Sequence, residues 1–75
     1  MTQDEWYIKA KAIIKSELAK QDISYEKLSD MLHDIGVDEN KMNIAYKLNR
    51  GKFSFGFALQ IFKALGIKKL NLEDL

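Results

Sequence analysis

Residues 24–51 read SYEKLSDMLHDIGVDENKMNIAYKLNRG, and this stretch decides the fold. Ser24 is a helix N-cap, because its hydroxyl can accept a bond from an amide of the first turn. Behind it Leu28, Met31, Leu32 and Ile35 recur at helical spacing, and Ile23 with Leu28 occupies the two positions of a hydrophobic staple. Gly36 suits the left-handed residue that ends a helix. The pattern predicts a helix over 25–35 and a three-residue turn, Gly36-Val37-Asp38. A second helix then runs over 39–50, with Asp38 as its N-cap. Ile44, Ala45 and Leu48 share one side of that second helix, and Gly51 stops it.

Outward from this pair the helical period continues, and no segment alternates as a strand would. Thr2 and Glu5 form a capping box for a helix over 3–20, with Tyr7, Ala10, Ile14 and Leu18 in one stripe and Trp6 and Ile13 widening it. Gln21-Asp22 reads as its break. Ser54 opens a last helix over 55–65, which Gly66 closes. A tail follows over 66–75, and within it Leu70-Asn71-Leu72-Glu73-Asp74-Leu75 reads as a short fifth helix, a strand-like arm or a frayed end. The expectation is an all-α, four- to five-helix bundle forming one domain over 1–75. Two of its helices are joined by a short glycine-containing turn, the layout of a helix-turn-helix unit.

Composition narrows the classes. The 75 residues include no cysteine and no proline, so no disulfide framework supports the core, which suits a reducing cytoplasm. The first residues are polar and acidic, unlike a secretory signal. No apolar run reaches the roughly 18 residues that span a bilayer, so no membrane partner is expected. His33 is the single histidine. It stands late in its helix, where an imidazole meets the terminal carbonyls, and one histidine makes no metal site. No phosphate-loop or dinucleotide fingerprint is present. The chain is not expected to be an enzyme or to hold a cofactor.

Charge is distributed unevenly. Residues 40–72 carry Lys41, Lys47, Arg50, Lys52, Lys63, Lys68 and Lys69 and no acid, although the whole chain has a net charge of only +1. An uncompensated basic segment is the electrostatic footprint of a phosphate-facing surface. Within it Asn40, Asn43, Lys47 and Arg50 follow the spacing i, i+3, i+7, i+10 on a face separate from Ile44 and Leu48. Asparagine pairs with adenine, and arginine or lysine reaches guanine or a phosphate oxygen. Tyr46 flanks this stripe and offers its hydroxyl to sugar or phosphate. Asp38 and Glu39 place negative charge at the end of the helix nearest the bases in helix-turn-helix docking.

The stretch 23–67 resembles the lambda-repressor-like (Cro/C1-type) helix-turn-helix family. The resemblance rests on Ser24-Tyr25-Glu26-Lys27-Leu28-Ser29, the Gly36-Val37 turn, Arg50-Gly51-Lys52 before Ser54, and the closing Ala64-Leu65-Gly66-Ile67. Both Leu28 to Gly36 and Gly36 to Arg50 are about three residues longer than the usual spacing, close to one helical turn each. The chain is more similar still to a small, poorly characterised bacterial domain family of the same presumed fold. That likeness lies in Trp6, the lysine-rich first helix, Tyr25 with Leu28, Gly36, Lys47, the run from Arg50 through Phe55, and Phe57. The repressor likeness implies that Arg50 and Lys52 lie at the phosphate backbone, with Ser54 adding backbone N–H contacts. It also implies that Asn40, Lys41, Asn43 and Lys47 face base edges.

These observations point to a sequence-specific DNA-binding protein, a small bacterial or phage-type transcriptional regulator that places helix 39–50 in the major groove of double-stranded DNA. The alternative is a protein-interaction module, antitoxin-like or a subunit of a larger complex. It rests on helix 55–65, which is apolar on nearly every side. Ala58, Ile61 and Leu65 make one stripe and Phe55, Leu59 and Phe62 another. The second stripe, with Leu70, Leu72 and Leu75, is expected to join two copies as a homodimer or to take a protein partner.

Overall fold

Each helix begins at a residue whose side-chain oxygen closes its first turn. Thr2 accepts from the Glu5 amide at 3.2 Å, Ser24 from Lys27 at 3.1 Å, Asn40 from Asn43 at 2.8 Å and Ser54 from Phe57 at 3.0 Å. These four caps open α1 (Gln3–Lys20), α2 (Tyr25–Asp34), α3 (Lys41–Arg50) and α4 (Phe55–Ala64) in a computed structural model. The structure describes residues 1–73 and 75; Asp74, part of the tail, lies outside them. The fold is all-α, and among the described residues there is neither a strand nor a fifth helix. No helix is long and apolar enough to cross a membrane among those residues.

Three helices end in one device. After α2 the Gly36 amide donates to the His33 carbonyl at 3.0 Å and the Val37 amide to Leu32 at 2.9 Å. After α4 Gly66 and Ile67 repeat this toward Lys63 and Phe62, at 3.1 and 3.0 Å. After α1 Asp22 and Ile23 do the same toward Ala19 and Leu18, at 3.2 and 2.9 Å. The residue after each left-handed turn, Ile23, Val37 or Ile67, packs against the core, as this C-terminal motif favours. Gly36 and Gly66 adopt positive φ without strain, but Asp22 holds φ 54° with a side chain. Its carboxylate also stands at the negative end of the α1 dipole. Asp22→Gly is therefore expected to raise stability by about 1 kcal/mol, read as a higher urea midpoint at unchanged slope.

The core draws on every helix. Ile14 of α1, Leu28 and Leu32 of α2, Ile44 and Leu48 of α3, and Ile61 of α4 are fully buried. Burial of each side chain contributes about 1.5–3 kcal/mol. Leu18, Phe57, Ala58 and Leu65 complete the cluster, with Ile23, Tyr25, Met31, Val37, Phe53, Phe62 and Ile67 partly buried around it. Helix α2 packs against both α3 and α4, and α1 packs against α3. The Gln21 amide side chain donates to the Leu65 carbonyl at 3.2 Å, tying the end of α1 to the end of α4. In the tail Leu70, Asn71 and Leu75 lie along the α1 face that carries Lys9 and Ile13.

Two apolar residues depart from the stripes expected of them. Ile35 is exposed rather than inward-facing, because α2 ends at Asp34 and the left-handed Gly36 carries the chain inward at Val37 instead. Trp6 also remains exposed on α1, beside the half-buried Tyr7.

Candidate nucleic-acid interface

The largest correction falls where the site begins. The connection between α2 and α3 is six residues long, 35–40, not three, and α3 starts at Lys41 rather than at residue 39. Asn40, not Asp38, is the N-cap. A tertiary contact explains the choice: the buried Ser29 hydroxyl donates to the Glu39 carbonyl at 2.5 Å, holding the chain extended up to Asn40. Asp38 turns outward, with its carboxylate oxygen 3.3 Å from His33 Nε2, so the imidazole faces a carboxylate rather than helix carbonyls. Among the described residues no group of three or more His, Cys, Asp or Glu stands where it could hold a metal.

Glu39 folds back on Lys47, and their carboxylate and ammonium form an ion pair. The Lys47 ammonium also sits 4.6 Å from the centroid of the Phe57 ring, a cation–π contact. The Glu39 side chain keeps only 14% of its exposure and that of Lys47 39%. Lys47 is thus a strut between the loop, α3 and α4, and its charge is already matched. Of the two acids that stood against a phosphate-facing surface, Glu39 is neutralised by the lysine that was expected to serve it, whereas Asp38 stays exposed beside His33.

What faces solvent is a ridge centred on Tyr46. Met42, Asn43, Tyr46 and Arg50 recur at helical spacing on the side of α3 opposite Ile44 and Leu48, and all four are exposed. Arg50 is held in place: its Nη1 donates to the Tyr46 hydroxyl at 2.8 Å, and its guanidinium carbon lies 5.2 Å from that ring. Asn40 spends its side-chain oxygen on the cap, so it leaves the stripe that the spacing assigned to it. The Asn43 carboxamide makes no hydrogen bond among the described residues. Met42 shares this face although the expected stripe holds polar residues alone, and a helical wheel centred on Tyr46 includes it.

The flanks add charge. Lys41 is exposed in the first turn of α3, and Lys52 projects just after Gly51, 5.2 Å from the Tyr7 ring. Neither these two nor Arg50 meets a carboxylate among the described residues. Helix α1 brings two cations that the sequence pattern did not single out. Lys11 Nζ donates to the Asn49 carbonyl at 3.2 Å and Lys15 Nζ to the Asn49 side-chain oxygen at 2.9 Å. They satisfy the C-terminal end of α3 and set two more positive charges near Arg50. Their spacing, i and i+4 on one helix face, was the available signal. Ser54 is exposed, but its hydroxyl is committed to the α4 cap.

The expected partner stripe divides. Phe55 is 75% and Leu59 50% exposed on α4, and Leu70 and Leu72 are exposed in the tail. Phe62 packs partly buried against the core and leaves its remaining surface to the groove beside Phe55. Beside Phe55 an apolar groove runs between α1 and α4, lined by Ala10, Ile13, Phe53, Phe62 and Leu70.

The model of a family described as a domain of unknown function (DUF6471) matches residues 6–70. No curated protein and no solved structure matches the chain.

Proposed function

The chain belongs to the DUF6471 family, whose description carries no activity, and we propose from the site geometry that it binds double-stranded DNA through α3 and the residue after it. One observation carries the reading. Arg50 lies on the exposed ridge of α3, with Lys41 in its first turn and Lys52 just beyond its end, and none of the three has a carboxylate partner among the described residues; of the two acids ahead of the helix, Glu39 is matched internally by Lys47 and Asp38 stands exposed beside His33. Phosphate contacts need unmatched cations, and base contacts need a protruding face with free polar groups. Asn43 supplies such a group for an adenine edge, and Arg50, held by Tyr46, supplies one for guanine or phosphate. A helix-turn-helix arrangement with a long connection and a role in transcriptional regulation are the finer parts of the same proposal.

The experiment is a salt titration on random-sequence duplex, followed by sequencing of the bound fraction. Arg50→Ala and Lys52→Ala are each expected to lower the slope of log affinity against log salt by about one unit if they touch phosphate. Arg50→Ala instead costs about 1–3 kcal/mol at one position of the selected sequence if it reads a base. Duplex binding indifferent to salt and to both substitutions contradicts the proposal.

A second reading has its own support. Phe55 and Leu59 leave two large side chains in water on an otherwise well-packed helix, the kind of surface that a second copy or a protein partner covers. It is compatible with the first reading, since α3 and this face use different residues.

A further inference from the structure

Among the large apolar side chains described, Met42 is the most exposed, at 77%. It stands in the first turn of α3, where burial in the core asks nothing of it, and lysine or glutamate would serve the helix about as well. Its neighbours on the ridge are Asn43 and Tyr46, the latter 62% exposed. Lys41 precedes Met42 in the first turn, Arg50 lies two turns along the same ridge, and Lys52 follows the end of the helix. An apolar knob on a ridge that carries unmatched cations at its two ends fits a partner that presents apolar groups within reach of anions. The major groove of DNA is such a surface, because thymine C5-methyl groups line its floor between two rows of phosphates. Uracil lacks that methyl, and the major groove of an RNA duplex is too deep and narrow for a helix to enter.

We infer that Met42 is a thymine-methyl contact, so that the α3 ridge prefers A·T pairs, with the Asn43 carboxamide on adenine and the flexible Met42 thioether against the thymine methyl. The inference rests on the duplex-binding reading and assigns it a base preference. A methionine suits the contact because its unbranched, polarizable chain adapts to a small apolar target. Loss of one buried methyl corresponds to about a fourfold change in affinity.

The test compares two duplexes of equal length, alternating d(A-T) and the same duplex with deoxyuridine in place of thymidine, by fluorescence anisotropy at low salt. The unmodified protein is expected to bind the thymine duplex about fourfold or more tightly than the uracil duplex. Met42→Ala should bind both alike, and Met42→Leu should keep the preference. Because Met42 is solvent-exposed, neither variant disturbs the core, and circular dichroism checks this directly. Equal affinity of the unmodified protein for the two duplexes, or a preference that survives Met42→Ala, overturns the inference while duplex binding stands. Binding to neither duplex, or to single strands alone, overturns the duplex-binding reading and the inference with it.

Discussion

Gly51→Ala is expected to destabilise the protein by about 3 kcal/mol, the larger part of the stability available to a domain of this size. Two effects add. Gly51 ends α3 at φ 70°, a conformation that costs a residue with a side chain about 1–2 kcal/mol. A Cβ placed there would also stand 2.5 Å from the Tyr7 carbonyl oxygen and 3.1 Å from its carbon. That obstacle is the α1 backbone, so it moves only if α1 lifts from α3. Gly36 and Gly66 share the positive φ, yet a Cβ at either meets nothing within 4 Å. Gly36→Ala and Gly66→Ala should therefore cost only about 1–2 kcal/mol each. Thermal unfolding separates the cases: a loss of 3 kcal/mol lowers Tm by about 12–24 °C in a domain of this length. Equal losses at all three glycines would show that the Tyr7 contact carries no weight.

Lys47→Ala should cost about 2 kcal/mol of stability, because it strands the Glu39 carboxylate in a site where little water reaches it. The figure is set below that for a fully buried pair because the lysine side chain is itself 39% exposed. The substitution also removes the cation from the Phe57 ring. Adding Glu39→Gln to Lys47→Ala should restore much of the loss, since the remaining amide is neutral. Urea denaturation of the two variants decides the matter. If Lys47→Ala leaves stability unchanged and instead abolishes DNA binding, the lysine reads DNA and is not the strut described above.

That reassignment shows where the sequence was legible. Caps announce themselves locally: Thr2, Ser24 and Ser54 open helices and Gly36, Gly51 and Gly66 end them, each by chemistry confined to a few neighbouring residues. The buried stripe of α3, Ile44 and Leu48, was equally plain from its period. The start of α3 was not, because Asp38 and Asn40 are both good N-caps two positions apart. Ser29, ten residues upstream, settles it by holding the Glu39 carbonyl. The pairing of Lys47 was hidden for the same reason. Its matching partners, Glu39 and Phe57, lie eight and ten residues away and come together only through packing. Nor was the exposure of Met42 visible to a stripe drawn through polar side chains. Phe55 and Leu59 stood out as surplus apolar surface, while Phe62 beside them found cover against the core.

The central claim is that α3 presents a duplex-binding ridge, and amide chemical-shift mapping during titration with duplex DNA tests it residue by residue. The perturbed amides are expected to cluster at Lys41, Met42, Asn43, Tyr46, Arg50 and Lys52, and the perturbations to fade as salt is raised. Perturbations confined to Phe55, Leu59 and the tail, or none at any duplex concentration, would contradict it.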